Sequence, residues 1–165
     1  MDKQQTILVT GGAGFIGSRL VENLLKLNVN IIVLDNLSTG KIENVNSKTI
    51  FYQGDVADKK ILDCIFSRHR ISRVFHIAGQ SSGEVSFENP VYDLRSNTFS
   101  TLLLLEACRT YDCNSFIFAS TMSIYGNSKK EFVDENEPPS PKSFYAVGKN
   151  ASEYYMKIYS GFGIK

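Results

Sequence analysis

The chain alternates short apolar runs with amphipathic stretches. The runs Thr6–Thr10 (TILVT), Asn30–Asp35 (NIIVLD), Lys48–Gln53 (KTIFYQ), Arg73–Ala78 (RVFHIA) and Asn114–Ser120 (NSFIFAS) lack the apolar–polar alternation of a half-exposed strand. They predict strands covered on both faces. Between them, apolar positions recur at helical spacing. Phe15–Leu27 brings Ile16, Leu20, Leu24 and Leu27 to one face. Asp58 is placed to cap a helix carrying Ile61, Leu62, Ile65 and Phe66. Pro90 opens a long helix to about Thr110, with Leu94, Thr98, Thr101, Leu102 and Leu105 along one side. Residues 127–142 are polar, acidic and proline-bearing and predict a loop, and a closing helix starts near Ser143. Strands separated by helices make βαβ units. Right-handed crossovers then give an α/β fold with a doubly wound parallel sheet in the order 3-2-1-4-5.

Composition narrows the function without adding to the fold. The 165 residues are 42% hydrophobic and 21% charged, an ordinary globular balance for one domain. A formal net charge of +1 gives no steering toward nucleic acid or a membrane surface. No run approaches the ~18 apolar residues of a membrane span. The chain start, Met1-Asp-Lys-Gln-Gln, leads straight into the first strand, so no signal peptide is expected. Cys64, Cys108 and Cys113 form no C-x-x-C pair and read as reduced, mostly buried thiols of a cytoplasmic protein, with no metal site.

The first turn carries chemistry. Thr10-Gly-Gly-Ala-Gly-Phe-Ile-Gly17 places Gly11, Gly14 and Gly17 in a G-x-x-G-x-x-G spacing, after a strand and before a helix. Glycine permits the tight turn, close approach of backbone to a pyrophosphate, and close packing of helix on strand. The helix N-terminus adds free N–H groups and a positive dipole end. Asp35 closes the second strand about 20 residues on, where a carboxylate holds the adenosine ribose hydroxyls and repels a 2′-phosphate. No arginine follows in Asn36-Leu37-Ser38, so the sheet is of Rossmann type and the cofactor reads as NAD rather than NADP.

These features resemble the extended short-chain dehydrogenase/reductase family, in its NAD-dependent sugar-nucleotide epimerase/dehydratase branch. TGGAGFIG at 10–17, DNLSTG at 35–40, GD at 54–55 with HIAG at 76–79, and YAVGK at 145–149 carry the likeness, with VSFENPVYDLRSNTFSTLLLLEA around Pro90. Ser100 departs from it, since a glycine is usual before Thr101. The resemblance implies that Phe15 and Ile16 lie over the pyrophosphate. Asp35 and Asn36 meet the ribose, with Ser38 and Gly40 in the same loop, and Asp55 and Val56 flank the adenine. Ile77, Ala78 and Gly79 line the cofactor beyond strand four. Asn97 orders the long helix and a water near the lysine. The resemblance covers essentially all 165 residues, yet such enzymes run well past this length. Residues 1–165 are therefore expected to be an NAD-binding domain that stops before strand six and the substrate lobe, leaving strand five as an open edge.

Tyr145 and Lys149 stand at i and i+4, on one helix face. A free phenol titrates near ~10, and a neighbouring ammonium and an oxidised nicotinamide both favour the phenolate. Thr121, in ASTMSIYG, occupies the family's serine/threonine position. The expected chemistry has Tyr145 taking a proton from a sugar hydroxyl while NAD takes hydride from the same carbon. Family members that dehydrate the sugar carry Asp-Glu after the threonine. Met122 and Ser123 stand here instead and supply neither acid nor base, which leaves oxidation and re-reduction, as in 4-epimerisation of a nucleotide sugar. Gln80 and Ser81, with Thr121 and Ser123, are candidate substrate contacts, although a polar loop accounts for Gln80, Ser81 and Ser82 equally well. His76 reads as a structural, hydrogen-bonded histidine, and His69 as a residue of a solvated helix end. Lys129-Lys-Glu131 and Asp134-Glu-Asn-Glu137 read as a solvated loop. Tyr154, Tyr155 and Tyr159 read as a packed helix face. By resemblance, helices 90–110 and 143–160 form a homodimer interface. Two other readings stay open: an NAD-dependent reductase of another carbonyl substrate, and an NAD-binding chain without turnover.

Overall fold

A computed structural model describes residues 4–128 and 130–165, so the expectations for the first three residues and for Lys129 fall outside it. Five strands form one parallel sheet in the order β3-β2-β1-β4-β5. They are β1 (Thr6–Thr10), β2 (Asn30–Asp35), β3 (Ile50–Gln53), β4 (Ile71–His76) and β5 (Phe116–Phe118). Successive residues of the central strands feed opposite faces. Leu8, Ile32 and Leu34 pack with Leu62, Ile65 and Phe66 of α2 (Lys59–Arg68) and with Leu104, Leu105 and Cys108 of α5 (Ser100–Thr110). Ile7, Val9, Ile31 and Val33 pack on the other side with Val21 and Leu24 of α1 (Phe15–Leu24). Both faces are covered, which is why the strands show no alternation.

The helix boundaries follow local signals. Asp58 caps α2, accepting from Lys60 N at 2.9 Å. Ser143 caps α6 (Phe144–Ser160) by accepting from Ala146 N at 3.1 Å. The expected face of α1 holds at Leu24, which is buried, and at Leu20, which packs against the same cluster, but Gly17 and Val21 join them while Ile16 and Leu27 are exposed. The cause lies at Gly17, where an added Cβ would stand 2.1 Å from Gly11 O, so this position must face the turn. The helix also tightens into a 3-10 turn at Leu25–Leu27.

Strand β4 begins and ends two residues earlier than expected. Ile77 and Ala78 leave the ladder because both of their N–H groups turn to Thr10 O, at 3.2 and 3.1 Å. β3 and β5 are shorter than expected. The open edge of β5 is partly met by the last residue: Phe116 N donates to Lys165 O at 2.8 Å, and Lys165 N to Asn114 O at 2.9 Å. His69 is half-buried rather than solvated, its Nε2 2.9 Å from the Tyr52 hydroxyl.

The region after β4 departs furthest from the sequence pattern. Gln80, Ser81 and Ser82 form the polar loop that the sequence allows, and a short helix α3 (Gly83–Glu88), capped by Ser82, follows it. The long helix runs as expected from Pro90 to Thr110 but in three pieces: α4 (Pro90–Leu94), a π-turn (Arg95–Phe99) and α5. A π-turn adds a residue to the turn and so rotates the face of α4 relative to that of α5. Asp93, Asn97, Thr98, Ser100 and Thr101 are buried as a result, and Leu94 is left exposed. Hydroxyls brace the widened turn. Ser100 Oγ donates to Ser96 O at 2.7 Å and Thr101 Oγ1 to Asn97 O at 2.6 Å. Ser100, the departure from the family pattern, is thus fully used.

Candidate active site

The turn between β1 and α1 forms one wall of a cleft of about 410 Å³. Gly11 has φ +71°, and a Cβ there would stand 2.6 Å from Ala78 N, so only glycine closes the turn against the end of β4. Gly14 starts α1 without a side-chain cap, whereas Asp58, Ser82 and Ser143 cap α2, α3 and α6. The first-turn N–H groups of Phe15, Ile16 and Gly17 therefore have no intrahelical acceptor and face the cleft. Phe15 is 85% exposed and lines the cleft.

The opposite wall comes from the ends of β2 and β3. Asp35 is 7% exposed. Its Oδ2 accepts from Ala13 N at 2.9 Å and its Oδ1 from Leu37 N at 2.8 Å. The carboxylate thus ties the glycine turn to its own loop while each oxygen keeps a free lone pair toward the cleft. Asn36, Ser38 and Gly40 line the same wall, and Asn36 Oδ1 shapes the loop by accepting from Ser38 N at 3.0 Å. Lys41 N and Asn44 Nδ2 close the far side of the turn on Ala13 O, at 3.1 and 2.9 Å. Asp55 and Val56 lie beyond β3, with Asp55 Oδ1 accepting from Ala57 N at 2.8 Å. Ile77, Ala78 and Gly79 form the floor, and Gln80 and Ser81 its rim. Thr39, Gly54, Tyr92 and Ser96 also line the cleft. The first two sit inside the DNLSTG and GD motifs, and the last two are one helical turn apart, a spacing that could have found them.

Tyr145 and Lys149 are both buried, at 9% and 4% exposure. Lys149 Nζ donates to Ala119 O at 3.0 Å and lies 4.6 Å from the centre of the Phe118 ring and 6.0 Å from that of Tyr145. Burial pushes the ammonium down to about 8, and the charge of Asp93 opposes that shift. Lys149 meets the cleft at Gly79. The point where a Gly79 Cβ would sit is 2.6 Å from Asn97 Oδ1 and 3.4 Å from Lys149 Nζ. Asn97 Oδ1 is a buried acceptor without a partner. Thr121 is half-buried and caps the 3-10 turn Met122–Tyr125, which packs on α6, by accepting from Ser123 N at 3.2 Å. Ser123 is exposed. The Gln80 carboxamide turns inward, donating to Ser82 O at 2.6 Å and Asp93 Oδ1 at 2.9 Å.

His76 stands behind this site, fully buried. The Thr101 hydroxyl is spent on Asn97 O, so it accepts from His76 Nε2–H at 3.0 Å. Nδ1 then accepts from Thr10 Oγ1 at 2.7 Å, and Thr10 Oγ1 accepts from Ala78 N at 3.2 Å. Burial, with the Lys149 charge second, pushes the imidazole down to about 3, and it is neutral. The residues present fit a dinucleotide. The uncapped helix start suits a pyrophosphate and Asp35 a ribose diol, and Gly79 brings the cleft floor close to Asn97 Oδ1 and Lys149 Nζ. Among the described residues no group of His, Cys, Asp and Glu side chains is arranged to hold a metal ion, and no helix is long and apolar enough to cross a membrane.

Known proteins share this fold. A Thermus thermophilus UDP-glucose 4-epimerase solved with NAD superimposes with a TM-score of 0.94 at 46% identity, over 98% of this chain and 53% of that one. A Thermotoga maritima UDP-glucose 4-epimerase solved with UDP-glucose gives 0.92 at 42% identity, over 95% and 52%. A putative UDP-glucose 4-epimerase of Methanocaldococcus jannaschii is 43% identical over 93% of this chain and 50% of its own length. The chain spans about half the length of the curated relatives it matches. Residues 7–163 match the NAD dependent epimerase/dehydratase family, and with the cleft, the acidic end of β2 and the Tyr145–Lys149 pair in place, the chain belongs to that family.

Proposed function

We propose that this chain supplies the NAD-binding portion of a sugar-nucleotide epimerase that oxidises and re-reduces the C4 hydroxyl of a nucleoside-diphosphate hexose. The observation that carries the reading is the meeting of two features at Gly79: a dinucleotide-shaped cleft and a buried Lys149 one turn from Tyr145. The cleft residues that would hold NAD are those of the glycine turn, Asp35 and the β4 end. NAD, when bound, supplies the hydride acceptor and then the donor. Tyr145 takes the proton from the sugar hydroxyl and later returns it. Lys149 holds the phenolate by its charge, and Thr121 offers a hydroxyl to the sugar oxygen. Met122 and Ser123 provide no acid–base pair for dehydration, which favours epimerisation. Gln80, Ser81 and Ser123 are the remaining candidate substrate contacts, with Gln80 contributing through its loop.

The same reading includes a homodimer. Val91 and Leu94 of α4 and Val147, Tyr154 and Ile158 of α6 are exposed apolar residues on adjacent helices. Sedimentation should find a dimer that Val147→Glu with Ile158→Glu dissociates. Three free thiols favour the reducing conditions of the cytoplasm.

Calorimetric titration tests the cofactor. NAD should bind, NADP should bind at least about tenfold more weakly, and Asp35→Ala should narrow that gap. Equal affinity for the two would refute the role of Asp35. Turnover of UDP-glucose to UDP-galactose, abolished by Tyr145→Phe, tests the reaction. NAD binding without turnover would instead support the reading of an NAD-binding chain without turnover.

A further inference from the structure

We propose that Asp93 is a positioning residue of the Tyr145–Lys149 centre: it fixes the orientation of the Asn97 carboxamide and acts as the buried counter-charge of Lys149. The inference rests on the reading of that centre as the reacting site. Sequence reasoning misses Asp93, although it stands four residues before Asn97.

Asp93 is 1% exposed and sits where α4 meets the π-turn. Its Oδ1 accepts from Gln80 Nε2 at 2.9 Å and from Asn97 Nδ2 at 3.1 Å. Asn97 Nδ2 also donates to Gln80 O at 3.0 Å. Both partners of that nitrogen are acceptors that cannot donate, so a flipped carboxamide would set oxygen against oxygen. The Asn97 amide is therefore locked with Oδ1 turned away from Asp93, toward the crowded side of Gly79, where a Cβ would stand 2.6 Å from Oδ1 and 3.4 Å from Lys149 Nζ. Asp93 Oδ2 faces α6, 3.7 Å from where a Gly148 Cβ would stand, one residue before Lys149.

The surroundings leave Asp93 as the carboxylate answering the lysine. β5 offers Lys149 the Ala119 carbonyl and the Phe118 ring. His76 on β4 is neutral, and Tyr145 lies on the helix of Lys149 itself. Glu153, also on α6, is engaged with Ser120, and Arg95 in the π-turn reaches the other way, to Ala57 O and Asp55. Burial raises the Asp93 carboxyl from its ordinary value, while donation by Gln80 and Asn97 and the Lys149 charge lower it again.

The test is a carbon-13 NMR titration of Lys149 Cε, assigned with Lys149→Met. In the wild-type protein the resonance should titrate near about 8. In Asp93→Asn the midpoint should move down by about one unit, because the opposite charge is gone, and Asp93→Glu should restore most of it. An unchanged midpoint in a folded Asp93→Asn protein overturns the proposal. Should that variant not fold, the wild-type protein still decides. The Asp93 Cγ resonance must show an inflection at the Lys149 midpoint, and a flat Cγ signal there overturns the pairing. NAD titration of the wild-type protein is run beside it. Absence of NAD binding would sink the cofactor reading, while the Lys149 titration would still judge Asp93.

Discussion

Among the groups through which acid acts on this fold, the imidazole of His76 is the most deeply buried. Both ring nitrogens are engaged with threonine hydroxyls, and burial holds the ring at about 3 against an ordinary 6.5. A base whose folded value is depressed stays neutral in the folded chain and takes up its proton only on unfolding. Its contribution is present above about 6.5 and is lost as the pH falls toward about 3. At about pH 4.5 the unfolded ring is two units into protonation, which costs the folded state about 2.7 kcal/mol at roughly 1.4 kcal/mol per unit. That is a large part of the roughly 5–15 kcal/mol that holds a domain together. Other groups also respond to acid. Glu106 and Glu137 are held below their ordinary values by Arg109 and Lys130, and burial raises Asp93. A difference measurement cancels them. Urea unfolding of the wild-type and His76→Asn chains, from about pH 7.5 to about pH 4.5, should show the variant less stable at neutral pH and the gap narrowing by about 2.7 kcal/mol in acid. Parallel curves would falsify the account of a neutral, doubly bonded imidazole. So would a nitrogen-15 spectrum of native protein showing an imidazolium at the acid end.

Two other substitutions test the backbone reasoning. Gly11→Ala should cost about 2–4 kcal/mol, combining a left-handed backbone with a Cβ pressed on Ala78 N, whereas Gly163→Ala should cost only about 1–2 kcal/mol. Gly163 also has a positive φ, +87°, but nothing within 4 Å of its Cβ position. Equal losses in urea unfolding would remove the close approach at Gly11 from the argument. Ser100→Ala should destabilise by about 1 kcal/mol although alanine is the better helix former, because the Ser100 hydroxyl braces the π-turn at Ser96 O. Stabilisation in thermal unfolding would mean the hydroxyl contributes nothing there.

The divide between what the sequence reveals and what it conceals has a physical cause. Sheet order and the glycine turn are legible because each depends on residues close in sequence: an apolar run, a glycine spacing, an acidic strand end. The cleft lining from Gly11 to Ser81 comes from those short motifs, and so does the Tyr145–Lys149 spacing. Helix faces are misread wherever a contact distant in sequence, or a break in helical period, sets the rotation. Gly17 turns α1 because Gly11 O leaves no room for a Cβ, and the π-turn carries Leu94 out and Asp93 in. Nothing at 3.6-residue spacing announces such a turn. It is held by hydroxyls that bond backwards from Ser100 and Thr101, by Thr101 accepting from His76, and by Asn97 donating to Gln80 and Asp93. Each of those side chains reads alone as an ordinary helix or strand residue. Together they place one unpartnered oxygen, Asn97 Oδ1, beside the lysine. An unpaired buried acceptor costs about 1–3 kcal/mol, so the hydrogen bonds that fix the π-turn and its neighbours must outweigh that cost.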